Sequence, residues 1–392
     1  MGQQSWIITD VESGVNVEQL ELTRREIKRA PASFQVSKQT LRGGLQDGVD
    51  LLTVNNGKVS IDILPTRGMS LWQASIDGDR IGWRSPVRGP VHPKFVDLGE
   101  PSGLGWLDGF DELMVRCGLE SNGAPEFDDK GILVYPLHGR IGNRPAQHVS
   151  VHVDDDEGMI LVRGVVEETR FHFLKLRLVT ELRTRFGETA IHIHDRVENI
   201  SASPATVQML YHTNFGLPLL DAGAQLVAPV KAVAPRNDHA AEGMSNWSSY
   251  SAPEAGFEEQ VYFLELLADE DKATRMMLKN AHGTRGVSLQ YNTSTLPCFT
   301  VWKNTTAGED GCVTGLEPGT NYPNPRSFEG EQGRVAELEA GGHVDFEFGI
   351  AFQQTADEVQ GVEQVIQELQ GDHVPTVYDA PRSGWNPDEV SG

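Results

Sequence analysis

The segment HVDFEFGIAF, residues 343–352, alternates strictly: Val344, Phe346, Phe348, Ile350 and Phe352 fall on one side, with polar or small residues between them. Successive side chains of a strand point to opposite faces, so a period of two describes a strand buried on one side. The same pattern recurs upstream. Val59, Ile61 and Ile63 share a face in KVSIDIL (58–64), Val149 and Val151 in HVSVHV (148–153), and Ile191 and Ile193 in ETAIHIHD (188–195). Antiparallel strands with one face on a core read this way. In FHFLKLRLVTELRTRF (171–186) the phase changes between Phe173 and Leu174, which predicts a bulge or a strand crossing between buried surfaces. Turn-rich segments punctuate the strands: RGGLQDG (42–48), SIDGDR (75–80), NISASP (199–204) and LEPGTNYPNP (316–325). There is no βαβ rhythm and no repeat of fixed period. The pattern predicts an all-β antiparallel sandwich with few helices.

One helix is expected, in TADEVQGVEQVIQELQG (355–371). Thr355 and Glu358 form a capping box, and Val359, Val362, Ile366 and Leu369 line one face, which suits a helix packed on the outside of the sandwich. The expected organisation is an N-terminal lead-in (1–30) that covers an edge strand, one sandwich domain (31–371) and a poorly ordered polar tail (372–392).

The 392 residues suffice for two or three ordinary domains or one large all-β domain. The 33 Lys and Arg against 56 Asp and Glu give a formal net charge of -23 at pH 7. A polyanion meets a repulsive field there, so neither nucleic acid nor an acidic membrane is an expected partner, whereas a neutral small molecule is not repelled. Cys117, Cys298 and Cys312 are odd in number and widely spaced, which fits neither a disulfide framework nor a zinc cluster. The start, MGQQSWIITDVESG, lacks the basic and apolar segments of a secretory leader, and the expectation is a cytoplasmic protein. Neither GxGxxG nor a Walker pattern occurs, so no nucleotide cofactor is expected.

Four segments place ionisable residues among turn residues at the ends of apolar strands, where loops tend to carry function. They are LPTRGMSLW around Arg67, PLHGRIGN around His138, QMLYHTNFGLPLLD around His212 and TGLEPGTNYPNPR around Glu317. Each residue also has a plain structural reading. Arg67 can pair an acidic neighbour and His138 can cap a turn. His212, which alternates with Val207, Met209 and Tyr211 and so faces with Gln208 and Leu210, can be a strand-end histidine. Glu317 can open a Pro-Gly turn.

The order and separation of these motifs resemble the galactose mutarotase (aldose 1-epimerase) superfamily over roughly residues 40–352, and in particular its divergent branch with RGM and HGRIGN segments. The matching motifs are His138-Gly139, His212-Thr213-Asn214-Phe215-Gly216 and Leu316-Glu317-Pro318. Thr213-Asn214 replace the usual Pro-Tyr, and the aspartate that ordinarily contacts sugar hydroxyls has no clear counterpart between Lys231 and Asp271. The resemblance implies a large β-supersandwich with a sugar on the concave face of one sheet, and interconversion of α and β anomers without metal or organic cofactor. It implies Glu317 as the base, His212 as the acid, His138 as a donor to the ring oxygen or an adjacent hydroxyl, and Arg67 as a ligand of a substrate hydroxyl. Arg140, Asn143 and Asn214 are further candidates for hydroxyl contacts. Trp302 suits stacking on a pyranose face, although a core role is the more common one for tryptophan. GWLDGFDELMVRCGLESNG (105–123), with Trp106, Asp108, Asp111, Glu112, Arg116 and Asn122, reads as a lid or rim.

Two other readings compete. His192-x-His194 followed by Glu198 puts two imidazoles on one strand face, as a metal-dependent cupin-like sugar isomerase requires. The same sandwich can also serve as a non-catalytic sugar-binding sensor.

Overall fold

The computed structural model of the chain describes residues 2–387. Two large sheets dominate it, one of ten strands and one of fourteen, antiparallel but for one short parallel pair. Three α-helices, Asp238–Glu242, Arg326–Glu331 and Ala356–Gln370, occur among the described residues. The all-β supersandwich reading therefore holds.

The alternating residues lie where their period places them. Ile61, Ile63, Val149, Val151, Ile191, Ile193, Phe346, Phe348, Ile350 and Phe352 are all buried in one continuous core between the sheets. Within that core Arg116 pairs with Asp195, while Tyr211 donates to Asp195 at 2.8 Å and Arg116 to Thr180 at 2.8 Å. This cluster ties the fourteen-stranded sheet to the ten-stranded one, so Arg116 is not the rim residue expected from its loop-like surroundings. Its own segment, Met114–Leu119, is a fully buried strand.

Three further expectations are corrected. The phase change at Phe173 is neither a bulge nor a crossing: Met159–Thr169 and Lys175–Arg185 pair in register as a hairpin, with Phe171 and Phe173 exposed in its turn. The tail is folded as far as Pro387. Thr376–Val377 joins the edge of the fourteen-stranded sheet, and Trp385 is buried against Phe263 and Tyr322; residues 388–392 lie outside the described residues. The LEPG stretch is not a turn, because Val313–Gly319 is a buried strand that runs through Pro318.

The lead-in pairs with strands of both sheets. Gln3–Asp10 pairs with Ala146–Asp154 of the ten-stranded sheet, and Leu20–Leu22 pairs with Gln35–Thr40 of the other. The helix Ala356–Gln370 begins at Thr355, whose side chain accepts from the Glu358 N–H, and it buries Val359 and Ile366 on Met277, outside the sandwich as its periodicity predicts.

Candidate active site

The face of the fourteen-stranded sheet turned away from the core carries a second set of buried residues, including Trp83, Trp106, Phe110, Val115, Cys117 and Leu210. Alternation along Ala205–Phe215 sends Val207, Met209 and Tyr211 into the inter-sheet core and Leu210 to this outer face. His212 shares the parity of Leu210 and so arrives on the same face. The neighbouring strand pairs Leu210 with Gly319 and Thr213 with Leu316, a register that sets Glu317 opposite His212. On its other side Glu317 is paired with Thr300. His212 Nε2 lies 3.2 Å from Glu317 Oε1, and the two residues are only 4% and 2% exposed.

These residues lie in a pocket of about 330 Å³ lined by Trp106, Phe110, His138, Arg236, Glu259 and Trp302, with aliphatic side chains such as Leu104, Leu107 and Leu137. That is within the size range of small-molecule sites, and the aromatic lining with few convergent polar groups is typical of them. The His138 ring sits 5.1 Å from that of His212 and 4.6 Å from that of Trp106, centroid to centroid. Trp302 donates its indole N–H to Glu259 at 2.7 Å, and Glu259 also pairs with Arg236 at 3.3 Å.

Hydrogen bonding assigns the tautomers. His212 Nδ1 is 2.8 Å from Asn214 Oδ1, and Asn214 is oriented by its own amide donating to the Glu112 and His212 carbonyls. Nδ1 therefore carries the hydrogen and Nε2 faces Glu317. His138 Nδ1 lies 2.9 Å from the Asn122 carbonyl, which can only accept, so Nδ1 is again the donor. Burial lowers His138 to about 4, so its ring is neutral and its Nε2 is an acceptor. This differs from the donor role expected of His138.

Burial also sets the state of the dyad. It raises the Glu317 carboxyl to about 8, with Glu259 adding to the rise and Arg236 opposing it. It holds His212 well below the usual imidazole range, and His138 lowers it further. At neutral pH the pair thus holds one proton, resting on Glu317. Apart from the approach of His212 Nε2 to Glu317 Oε1, three buried polar atoms of the pocket lack a hydrogen-bond partner: Glu317 Oε1, Thr300 Oγ1 and Trp106 Nε1. Buried polar groups are rarely left unmatched, so this trio is poised for a polar ligand.

Other candidates are placed elsewhere. Arg67 is fully buried and does not line the pocket. It pairs with Glu112 at 2.6 Å and donates to the Val91 and Gly109 carbonyls and to Asn143 Oδ1, so both Arg67 and Asn143 support the site from behind. The link is short: the main-chain carbonyl of Glu112 holds Asn214, and Asn214 holds His212. Asn214 is thus an orienting group. Arg140 is outside the lining, half-buried in the field of Glu168 and Glu120. Of the supposed lid, only Trp106, Leu107 and Phe110 reach the pocket. His192 and His194 are on the ten-stranded sheet, bonded to Glu188 and Asp345 respectively.

Sequence reasoning missed Arg236, Glu259, Thr300 and Gly315. Glu259 falls inside the interval, Lys231 to Asp271, in which no acidic counterpart was identified. Gly315 matters because a Cβ there would lie 2.3 Å from Glu317 Oε1 and 3.2 Å from both His212 and Trp302. Gly139 has a comparable reason: at φ 72° its Cβ would lie 2.0 Å from the Ser121 carbonyl oxygen.

Comparisons with known proteins agree with this architecture. No curated protein matches the chain. A crystal structure from Klebsiella pneumoniae subsp. pneumoniae MGH 78578, of a protein provisionally named an aldose 1-epimerase, is 38% identical and superposes with a TM-score of 0.94 over 97% of this chain and all of that one. A galactose mutarotase-like protein from Clostridium acetobutylicum shares the fold alone, at 14% identity and a TM-score of 0.56 over 82% of this chain and 99% of its own. Galactose 1-epimerase from Lactobacillus acidophilus NCFM does likewise, at 13% and 0.52 over 82% and 100%. A family model described as a domain of unknown function, DUF4432, matches residues 46–352. The chain belongs to the DUF4432 family and shares the fold of galactose mutarotase-like proteins.

Proposed function

We propose that this protein is an aldose 1-epimerase that interconverts the α and β anomers of a sugar by general acid and base catalysis. The observation that carries this reading is the His212–Glu317 pair: two buried, facing groups 3.2 Å apart in the lining of an aromatic pocket. The reaction needs such a pair. A base takes the proton of the anomeric hydroxyl while an acid protonates the ring oxygen; the C1–O5 bond breaks to the open-chain aldehyde, C1 rotates, and reclosure returns both protons.

Before a sugar binds, the proton of the pair rests on Glu317. A polyhydroxylated substrate restores hydrogen bonds to the carboxylate, and the proton crosses the 3.2 Å to His212 Nε2. Glu317 is then the base and His212 the acid, with Asn214 holding the imidazole in place. His138 Nε2 accepts from a neighbouring hydroxyl. Arg236, Glu259 and Thr300 supply further hydroxyl contacts, and Trp302 offers a face for the ring, in line with the Klebsiella relative's name.

The test follows the optical rotation, or the anomeric proton signals, of freshly dissolved α-glucose, α-galactose and rarer aldoses after chelator treatment. We expect acceleration by the wild type, and a loss of about 10²–10⁴-fold in Glu317→Gln with sugar binding retained. Binding without acceleration of any aldose would replace the proposal with a sugar sensor. Activity lost to chelator alone would redirect attention to His192 and His194.

A further inference from the structure

We propose that a second cavity, formed by segments 76–82, 216–219, 280–287 and 353–354, binds a small hydroxylated organic anion: a carboxylate or a phosphate ester. Its volume is about 170 Å³, enough for a few carbon atoms with their oxygens. It is distinct from the His212–Glu317 pocket and shares no lining residue with it. Gly216 follows directly on the strand that carries His212, so the two sites are about 13 Å apart along that strand.

Three features select the ligand. The first is charge. Arg80 and Arg285 both line the cavity, against one carboxylate, Asp79. Arg285 donates to the Thr284 and Gln354 carbonyls, which hold its guanidinium in place without neutralising it. Arg80 is exposed on the cavity wall; partial desolvation and the neighbouring Arg84 disfavour its charge, while Asp111 and Asp62 oppose that effect. A guanidinium with no salt-bridge partner among the described residues is matched by the planar fork of a carboxylate or phosphate.

The second feature is Gln353, 6% exposed, whose amide N–H donates to Ser288 at 3.0 Å while its Oε1 has no hydrogen-bond partner. An unmatched buried acceptor in a cavity calls for a donor on the ligand, and a hydroxyl supplies one. The third is the apolar wall of Ile81, Leu219 and Val287, which suits the carbon skeleton between the two polar ends. Asn280 adds nothing, because its amide is spent on Thr284 and Arg285 within its own loop.

Calorimetric titration of the full chain with glycerol 3-phosphate, with glycerate and with uncharged glycerol tests the proposal. We expect at least one of the two anions to bind with a dissociation constant on the order of 1 mM or below, weakening as salt is raised, and glycerol to give no signal. Preference for one anion identifies which head group the arginines take. Arg80→Gln and Arg285→Gln should each weaken that binding by about tenfold or more, and both residues are exposed enough for the fold to tolerate the change. Sugar turnover at His212 and Glu317 should be unaltered in both variants, so failure here is separable from failure of the epimerase reading. Heats no larger than those of glycerol for both anions, or anion binding unchanged in both variants, would overturn it.

Discussion

At the scale of single residues, the proton shared by His212 and Glu317 makes a definite pH dependence. Losing that proton requires passing the raised value of Glu317, about 8, and adding a second requires passing the depressed value of His212. The kcat/KM of the free enzyme should therefore be flat through neutrality, show no inflection near 6.5, and fall about tenfold per unit above pH 8. A profile that instead rises through 6.5 would mean that an ordinary imidazole controls the rate. Gly315→Ala is the sharpest test of the geometry. Its new methyl displaces the Glu317 carboxylate, and a misplacement of that size costs about 10²-fold in kcat/KM while leaving the melting temperature nearly unchanged. His212 and Glu317 were legible because the motifs resemble those of a known superfamily. Arg236, Glu259 and Thr300 carry no motif, and their membership of the pocket depends on the pairing of Gln260–Leu266 with Cys298–Asn304, a long-range contact that no local pattern encodes.

At the scale of elements, period-two alternation identified strands reliably, since burial on one face imposes it. It misread FHF at 171–173 because a tight hairpin turn also resets the phase, and the exposed Phe171 and Phe173 look like core residues to a hydropathy reading. LEPG misled in the opposite way: proline and glycine signal a turn, yet burial between strands on both sides holds Pro318 in a strand. The tail read as disordered because its composition is polar. One residue reverses that: Trp385 is buried in a cluster with Phe263 and Tyr322, and its carbonyl accepts from Asn324 at 2.8 Å. Trp385→Ala should cost about 3–5 kcal/mol in urea unfolding, whereas truncating a truly loose tail would cost nothing.

At the scale of the molecule, 56 acidic against 33 basic residues leave the folded state self-repelling. Raising NaCl from 10 to 200 mM shrinks the screening length from about 30 Å to about 7 Å, and the melting temperature should rise by about 1 °C, the equivalent of ~1 kcal/mol for a chain of this size; a fall would show that specific surface ion pairs outweigh the net repulsion. By itself the sequence determined the strand content, the buried faces, the outer helix and the four motif residues, because each follows from local periodicity or from a short motif. Only the tertiary structure decided that Arg67 and Arg116 are internal ties, that His138 is an acceptor and that Glu259 shares the pocket with Glu317. Those outcomes depend on which distant chain segments meet, and on how completely their meeting removes water from the charges between them.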